Sequence, residues 1–437
     1  MKRIATLLLA AAFVFGSIAG ASAAEFKTTG QFDFAFEWTD NTNFKETDDD
    51  DDSEDDFSAQ QRVRIQTVIT ASENVSGTLF FEIGNIAWGQ GDSVGRGAGG
   101  ALGTDGVNIE TRRAYIDFTV PSTDLQIRMG LQGLALPSAV GGNPVFDDDV
   151  AAIVASYAFN DMFGLTGFWA RPADTNSGDF DAATNRNLKD EFDMTGLILG
   201  VNGDGYSLDP YFVYAWQGAD QAGFADDATT WWAGAAFEMT MFDPIVFAID
   251  AIYGDRDAGD DEGNDATGWF LAGKLNYKMD MFTPGIWAWY GTGDDDDAND
   301  GSEQLPVVSP AGFAPTTFGF DGAAGLLTGM RLSNTGAGTW GVALVAEDIK
   351  FIEDVTHVVR VAYVKGTNDE NSGVDFGNLT EEDNAWEVNF DTNYKIYENL
   401  TAAVELGWIK LDLDEDVWGS DDTDDAWKAG VNLTYSF

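Results

Sequence analysis

Cysteine is absent from the 437-residue chain, and histidine occurs once. Without thiols there is no disulfide framework, no thiolate metal site and no cysteine nucleophile. Cations are scarce too: 23 Lys and Arg stand against 74 Asp and Glu, a formal net charge of −51. That balance excludes nucleic acid as a partner, because such proteins need basic surface to neutralise phosphates. Long apolar runs are missing after Ile18. The best remaining stretches, 150–159 and 269–275, are too short to cross a bilayer as helices, but they suit spanning strands of roughly ten residues.

Aromatics are plentiful at 13% of residues, whereas disordered acidic chains are poor in them. The acids are also concentrated, in 48–56, 255–265, 294–300 and 412–425. The N-terminus has a basic start (Lys2, Arg3), an apolar run over about 4–18, and then Ala21-Ser22-Ala23. This is the pattern of a secretory signal peptide over residues 1–23, cut after Ala23 or Ala24. The net charge becomes −53 once Lys2 and Arg3 leave with it. The length would suit two or three soluble domains. No linker interrupts the pattern, so residues 24–437 are expected to form one unit.

That pattern has period two, which puts successive side chains on opposite faces of a strand. In 27–38, Phe32, Phe34, Phe36 and Trp38 oppose Gln31, Asp33 and Glu37. In 57–71, Val63, Ile65, Thr67 and Ile69 oppose Arg62, Arg64 and Gln66. Further strands are predicted at about 75–88, 107–120, 124–133, 150–159, 163–171, 191–202, 205–216, 229–240, 244–253, 266–277, 282–291, 339–347, 355–365, 384–395, 400–411 and 426–437. A long Pro-bearing segment after 291 reads as loop, with an extra short element near 326–332. Tight turns alternate with long acidic or Gly-rich loops. Trp38, Trp88, Trp169, Trp216, Trp269, Trp289, Trp386, Trp408 and Trp427 fall near strand ends, where interfacial rings belong. The expected fold is all-β: a transmembrane antiparallel up-and-down barrel of about eighteen strands, or sixteen if the two weakest fail. In lipid only a closed sheet pairs every backbone group.

The last strand alternates fully. Trp427, Ala429, Val431, Leu433, Tyr435 and Phe437 share one face, while Lys428, Asn432, Thr434 and Ser436 are expected to face the channel. With the signal peptide and the strand series, this ending resembles the trimeric general porins. More closely, the whole chain resembles the homotrimeric porins of sulfate-reducing bacteria. The segment 128–137 fits the fifth strand of such porins, running into their third loop. The resemblance implies a passive outer-membrane channel without enzymatic activity, a homotrimer, and contact with outer-membrane lipid and lipopolysaccharide. It also implies that Tyr435 and the terminal Phe437 are read by the barrel-assembly machinery.

In general porins the third loop narrows the barrel, its acids facing basic residues on the wall. The matching loop here is about 133–149, with Asp147, Asp148 and Asp149. Arg62, Arg64, Arg113 and Arg128 alternate with apolar neighbours. They should point inward, because a charge on the lipid face at mid-depth costs roughly 2–4 kcal/mol. These seven residues are the expected constriction. The excess of acids suggests a mild cation preference.

Other signals are weaker. No cofactor or dedicated metal site is expected, although acidic loops could bind Ca²⁺ or Mg²⁺ weakly and bridge lipopolysaccharide. In 294–301 an EF-hand register fails at Ala298. Gly91-Asp92-Ser93-Val94-Gly95 matches a nucleophile-elbow spacing, but no helical pattern follows it. The lone His357 lies on an apolar strand face. Two alternatives to a general porin stay open: a substrate-selective channel, and a structural or adhesive barrel whose acidic loops bind a partner.

Overall fold

The computed structural model describes residues 24–44, 56–91, 99–102, 109–174, 191–224, 226–297, 300–309, 312–329, 332–333, 335–372, 379–418 and 423–437. The expected signal peptide, most of the first acidic run and Ser93 lie outside the described residues.

Eighteen strands make one antiparallel sheet. In chain order they are β1 (Glu25–Asp40), β2 (Asp56–Ser72), β3 (Val75–Ala87), β4 (Ile109–Thr119), β5 (Gln126–Ala135), β6 (Asp147–Ala158), β7 (Phe163–Asp174), β8 (Glu191–Gly203) and β9 (Tyr206–Gln217). The second half comprises β10 (Ala228–Phe242), β11 (Ile245–Asp257), β12 (Ala266–Tyr277), β13 (Thr283–Gly291), β14 (Thr339–Ile352), β15 (Val355–Gly366), β16 (Asn384–Tyr397), β17 (Leu400–Asp412) and β18 (Ala426–Ser436). Each strand pairs with its neighbours in sequence, and β1 closes the ring on β18 from Gln31↔Ser436 to Asp40↔Trp427. Closure leaves no unpaired strand edge. The sixteen-strand alternative is set aside.

Period two decides which side of the wall each residue takes. Leu197, Leu344 and Leu406 point outward and are exposed. Short turns such as 73–74 and 204–205 sit at one end, and long loops at the other. The seam is completed by Phe437: its backbone N–H and C=O exchange hydrogen bonds with Gly30, both at 3.0 Å, and its ring stacks on Tyr435. A Cβ at Gly30 would lie 2.5 Å from the Arg64 carbonyl and 2.7 Å from the Phe437 ring. Only glycine lets the last residue close in this way.

Three expectations are corrected. β6 begins at Asp147, because pairing with β5 continues to Ala135↔Asp147, so Asp147–Asp149 belong to a strand and the loop is confined to 136–146. No separate element forms near 326–332 among the described residues; Leu326 and Leu327 lie buried inside the barrel instead. Trp289 is not interfacial. It points inward, 4% exposed, packed on Phe313 and Phe320, with its indole N–H donated to Thr339 Oγ1 at 3.1 Å.

Candidate functional site

Among the described residues, the barrel interior is filled mainly by two segments that fold back from the long-loop end. The first is the loop 136–146. Asp250, on the inner face of β11, accepts Ser138 Oγ at 2.7 Å and the N–H groups of Ala139 and Val140 at 2.8 Å. Asn143 donates to Tyr211 Oη at 3.1 Å, and Val140, Val145 and Phe146 are buried. Short polar side chains on the inner wall can satisfy a loop's backbone donors where water cannot reach.

The second segment is 292–338, between β13 and β14. It follows the inner wall from one strand to the next. The Trp232 indole N–H donates to the Pro306 carbonyl at 2.7 Å. Glu387 on β16 accepts Thr316 Oγ1 at 2.7 Å and the N–H groups of Phe318 and Gly319 at 3.1 and 3.0 Å. Farther on, Glu405 accepts the Ala324 N–H at 2.7 Å, Asn432 the Leu326 N–H at 3.1 Å, and Glu37 the Thr328 N–H at 2.9 Å. Lys428 donates to the Thr317 and Thr328 carbonyls and lies 3.0 Å from Glu405. Phe313, Phe318 and Phe320 are almost fully buried. Each contributes about 1.5–3 kcal/mol of apolar burial to seating the segment. Lys428 and Asn432 do face inward, as the alternation required, but they are buried beneath this segment rather than bathed by the channel.

Next to the covered wall runs a row of charges on β1–β6. Arg62 lies 3.8 Å from Asp33, and Arg64 2.7 Å from Glu82. Arg112 bridges Glu82 at 3.2 Å and Asp149 at 2.6 Å, and Arg113 pairs with Asp149 at 2.6 Å. Toward the short-turn end, Arg128 pairs with Asp117 at 2.7 Å and lies 4.4 Å over the Tyr115 ring. All four arginines expected at the constriction therefore line one row.

The three aspartates behave differently. Pairing between β4 and β5 stops at Ala114↔Leu131, whereas β5 and β6 stay paired to Ala135↔Asp147. The β5–β6 tip thus leaves the wall and leans into the lumen, which lets Asp149 meet the guanidinium groups on the inner face of β4. Asp148 binds Ser309 Oγ of the second segment at 2.6 Å, which ties the two inward segments together. Asp147 makes no side-chain ion pair among the described residues; its N–H donates to the Ser309 carbonyl at 2.9 Å.

Sequence reasoning missed Arg112. Strict alternation from Arg113 sends it to lipid, but the β3–β4 register shifts between Phe80 and Phe81, and this bulge turns both arginines inward. Asp33 and Glu82, 1% exposed, were legible as inward polar positions, though not as partners of named arginines. His357 faces outward, stacked on Phe390, with Nδ1 2.8 Å from Thr392 Oγ1. Among the described acids, Asp295, Asp300 and Glu303 bring oxygens within 4.8 Å of one another. A hydrogen bond from Asp295 N to Glu303 Oε2 at 3.0 Å already organises that loop.

These features define a class: a closed eighteen-strand barrel with a lumen narrowed by inward segments. No known family model matches the chain, and no curated protein does. Solved structures with the same architecture include OprD of Pseudomonas aeruginosa, at 10% identity over 96% of this chain and 97% of that one, with a TM-score of 0.55. OpdQ of the same organism matches at 11% identity, covering 94% and 98%, with a TM-score of 0.56. OccAB3 of Acinetobacter baumannii matches at 12% identity, covering 94% and 100%, with a TM-score of 0.54. At such identities the likeness concerns the fold.

Proposed function

We propose that the protein is an outer-membrane channel of a Gram-negative bacterium, selective among small hydrophilic solutes rather than a wide general pore. The observation that carries this is the occupied lumen: two segments are bonded to the inner wall, and the row of Arg62, Arg64, Arg112, Arg113 and Arg128 lines the wall beside them. A barrel of this strand number with an empty lumen would be a broad aqueous channel. Opposed charges in a narrow passage orient polar solutes and select among ions. Along this stretch five guanidinium groups meet the carboxylates of Asp33, Glu82, Asp117 and Asp149, with Asp147 and Asp148 close to Arg113, so charges of both signs line it. Such a row suits zwitterions and other small solutes that carry both charges, whose carboxylate or phosphate groups match the guanidinium fork. The expected cation preference draws no support from this row.

Export by the 1–23 segment, insertion by the barrel-assembly machinery through Phe437, and assembly as a homotrimer complete the proposal on the strength of the porin resemblance. Liposome swelling tests it. A selective channel saturates with a preferred charged solute and excludes neutral sugars of similar size. A general porin shows a smooth size cutoff, and a structural barrel passes nothing.

A further inference from the structure

Near the long-loop end, Asp149 borders a second space. A chamber of about 410 Å³ lies between the inner wall of β6–β11 and the two inward segments. Arg256, close to the end of β11, faces it. Its Nε donates to the Asn264 carbonyl at 2.8 Å, and its guanidinium lies 5.4 Å over the Phe224 ring. Each arginine of the row has a carboxylate, but Arg256 does not: among the described residues, neither of its Nη groups has a hydrogen-bond or ion-pair partner. The acid standing near it, Asp265, accepts the Ala258 N–H at 2.7 Å. Gln217 donates to Gln221 Oε1, which leaves Gln221 Nε2 to donate into the same space. Among the described residues, the charged lining is Arg256, Asp148 and Asp149. Asp149 is held by Arg112 and Arg113. Asp148 is exposed, and its oxygens take only Ser309 Oγ and the Asp149 N–H. Phe192, Phe224 and the buried Trp232 supply rings to the wall.

We propose that this chamber binds a ring-bearing zwitterion, the chemistry of an aromatic α-amino acid, with its carboxylate in the Arg256 fork, its ammonium on Asp148 and its ring against Phe192 and Phe224. The proposal deepens the selective-channel reading above and rests on it. A guanidinium that is partly desolvated and lacks a counter-ion is suited to a planar carboxylate. A bare anion would also meet Asp148, and a bare cation would meet Arg256. A solute that carries both charges satisfies each. The size agrees, because small-molecule sites take roughly 300–1,000 Å³ and combine apolar walls with a few polar groups. Asp149 borders the chamber and pairs with Arg112 and Arg113, which puts the arginine row beside the bound solute.

The test is calorimetric titration of the full chain in detergent with L-phenylalanine, 3-phenylpropionate, phenethylamine and glycine. Wild type should bind L-phenylalanine most tightly. Loss of the ammonium, the carboxylate or the ring should each weaken binding roughly tenfold or more, the worth of one charge-assisted contact or one buried ring. Arg256→Gln should erase the preference for L-phenylalanine over phenethylamine, and Asp148→Asn should erase its preference over 3-phenylpropionate. Arg256→Lys, which keeps the charge and loses the fork, should fall between wild type and Arg256→Gln. Equal binding of L-phenylalanine and any of the other three probes by wild type overturns the proposal. So does an Arg256→Gln variant that still prefers L-phenylalanine over phenethylamine. Bilayer recording separates the two readings. A wild type that binds L-phenylalanine as expected but forms no channels keeps the site and rejects transport. A wild type whose channels saturate with charged solutes while calorimetry finds no preference keeps transport and rejects the site.

Discussion

Replacing Asp250 by alanine should loosen the loop 136–146 and enlarge the passage. Asp250 is 2% exposed, and its two oxygens take three hydrogen bonds from consecutive residues of that loop. Hydrogen bonds to a charged group contribute about 1.5–3 kcal/mol each. Allowing for rehydration of the freed donors when the loop lifts, the seated state should lose roughly 3–6 kcal/mol. That is about a hundredfold to ten-thousandfold in the seated-to-lifted ratio. The loss falls on 138–142. Asn143 keeps its bond to Tyr211, and Val145 stays bonded through its carbonyl to Val308 and Ser309, so the far half of the loop should remain in place. The wall itself is held by pairing around the whole ring, so the melting temperature should change little. Planar-bilayer recording of Asp250→Ala should show larger mean conductance and more current noise, with Asp250→Asn in between. Conductance and noise identical to wild type in the alanine variant would refute the anchoring role of this carboxylate.

Other outcomes follow from the same geometry. Replacing Arg113 and Arg128 by glutamine should shift reversal potentials in a salt gradient toward cations, since it removes two of the row's five guanidinium groups; an unchanged reversal potential would place the selectivity elsewhere. Lys428→Met leaves Glu405 and Glu37 buried near no cation, which typically costs about 3–5 kcal/mol, so it should lower the melting temperature measurably. The double variant Lys428→Met/Glu405→Gln should recover part of that loss, and no recovery would argue against direct coupling. Deleting Phe437 removes its two backbone bonds to Gly30 and its ring contacts, and should reduce the amount of barrel inserted. The channels that do insert should conduct normally.

Most of the wall was legible in the sequence because period two is a local signal. β12 matches its predicted span, and β1, β2 and β16 differ from theirs only at the ends. What was hidden is what lies inside. Segment 292–338 has no period and its prolines read as loop, yet Phe313, Phe318 and Phe320 are buried inside the barrel. Its conformation is set by carboxylates on distant strands, Glu37, Glu387 and Glu405, a long-range pairing that no local pattern announces. Arg112 was hidden by a one-residue bulge, which reverses the face of every residue on one side of it. Asp147–Asp149 were read as loop because the porin resemblance places the third loop over about 133–149. Pairing with Gly133, Leu134 and Ala135 instead draws them into β6.

In the proposed channel the inward segment 292–338, more than the ring of strands, sets the width of the passage. Single-channel conductance of a variant in which 305–329 is replaced by a short Gly-Ser linker tests it most directly. Conductance should rise several-fold and discrimination between charged and neutral solutes should fall, with the barrel still inserted. An inserted variant with wild-type conductance and selectivity would contradict the claim.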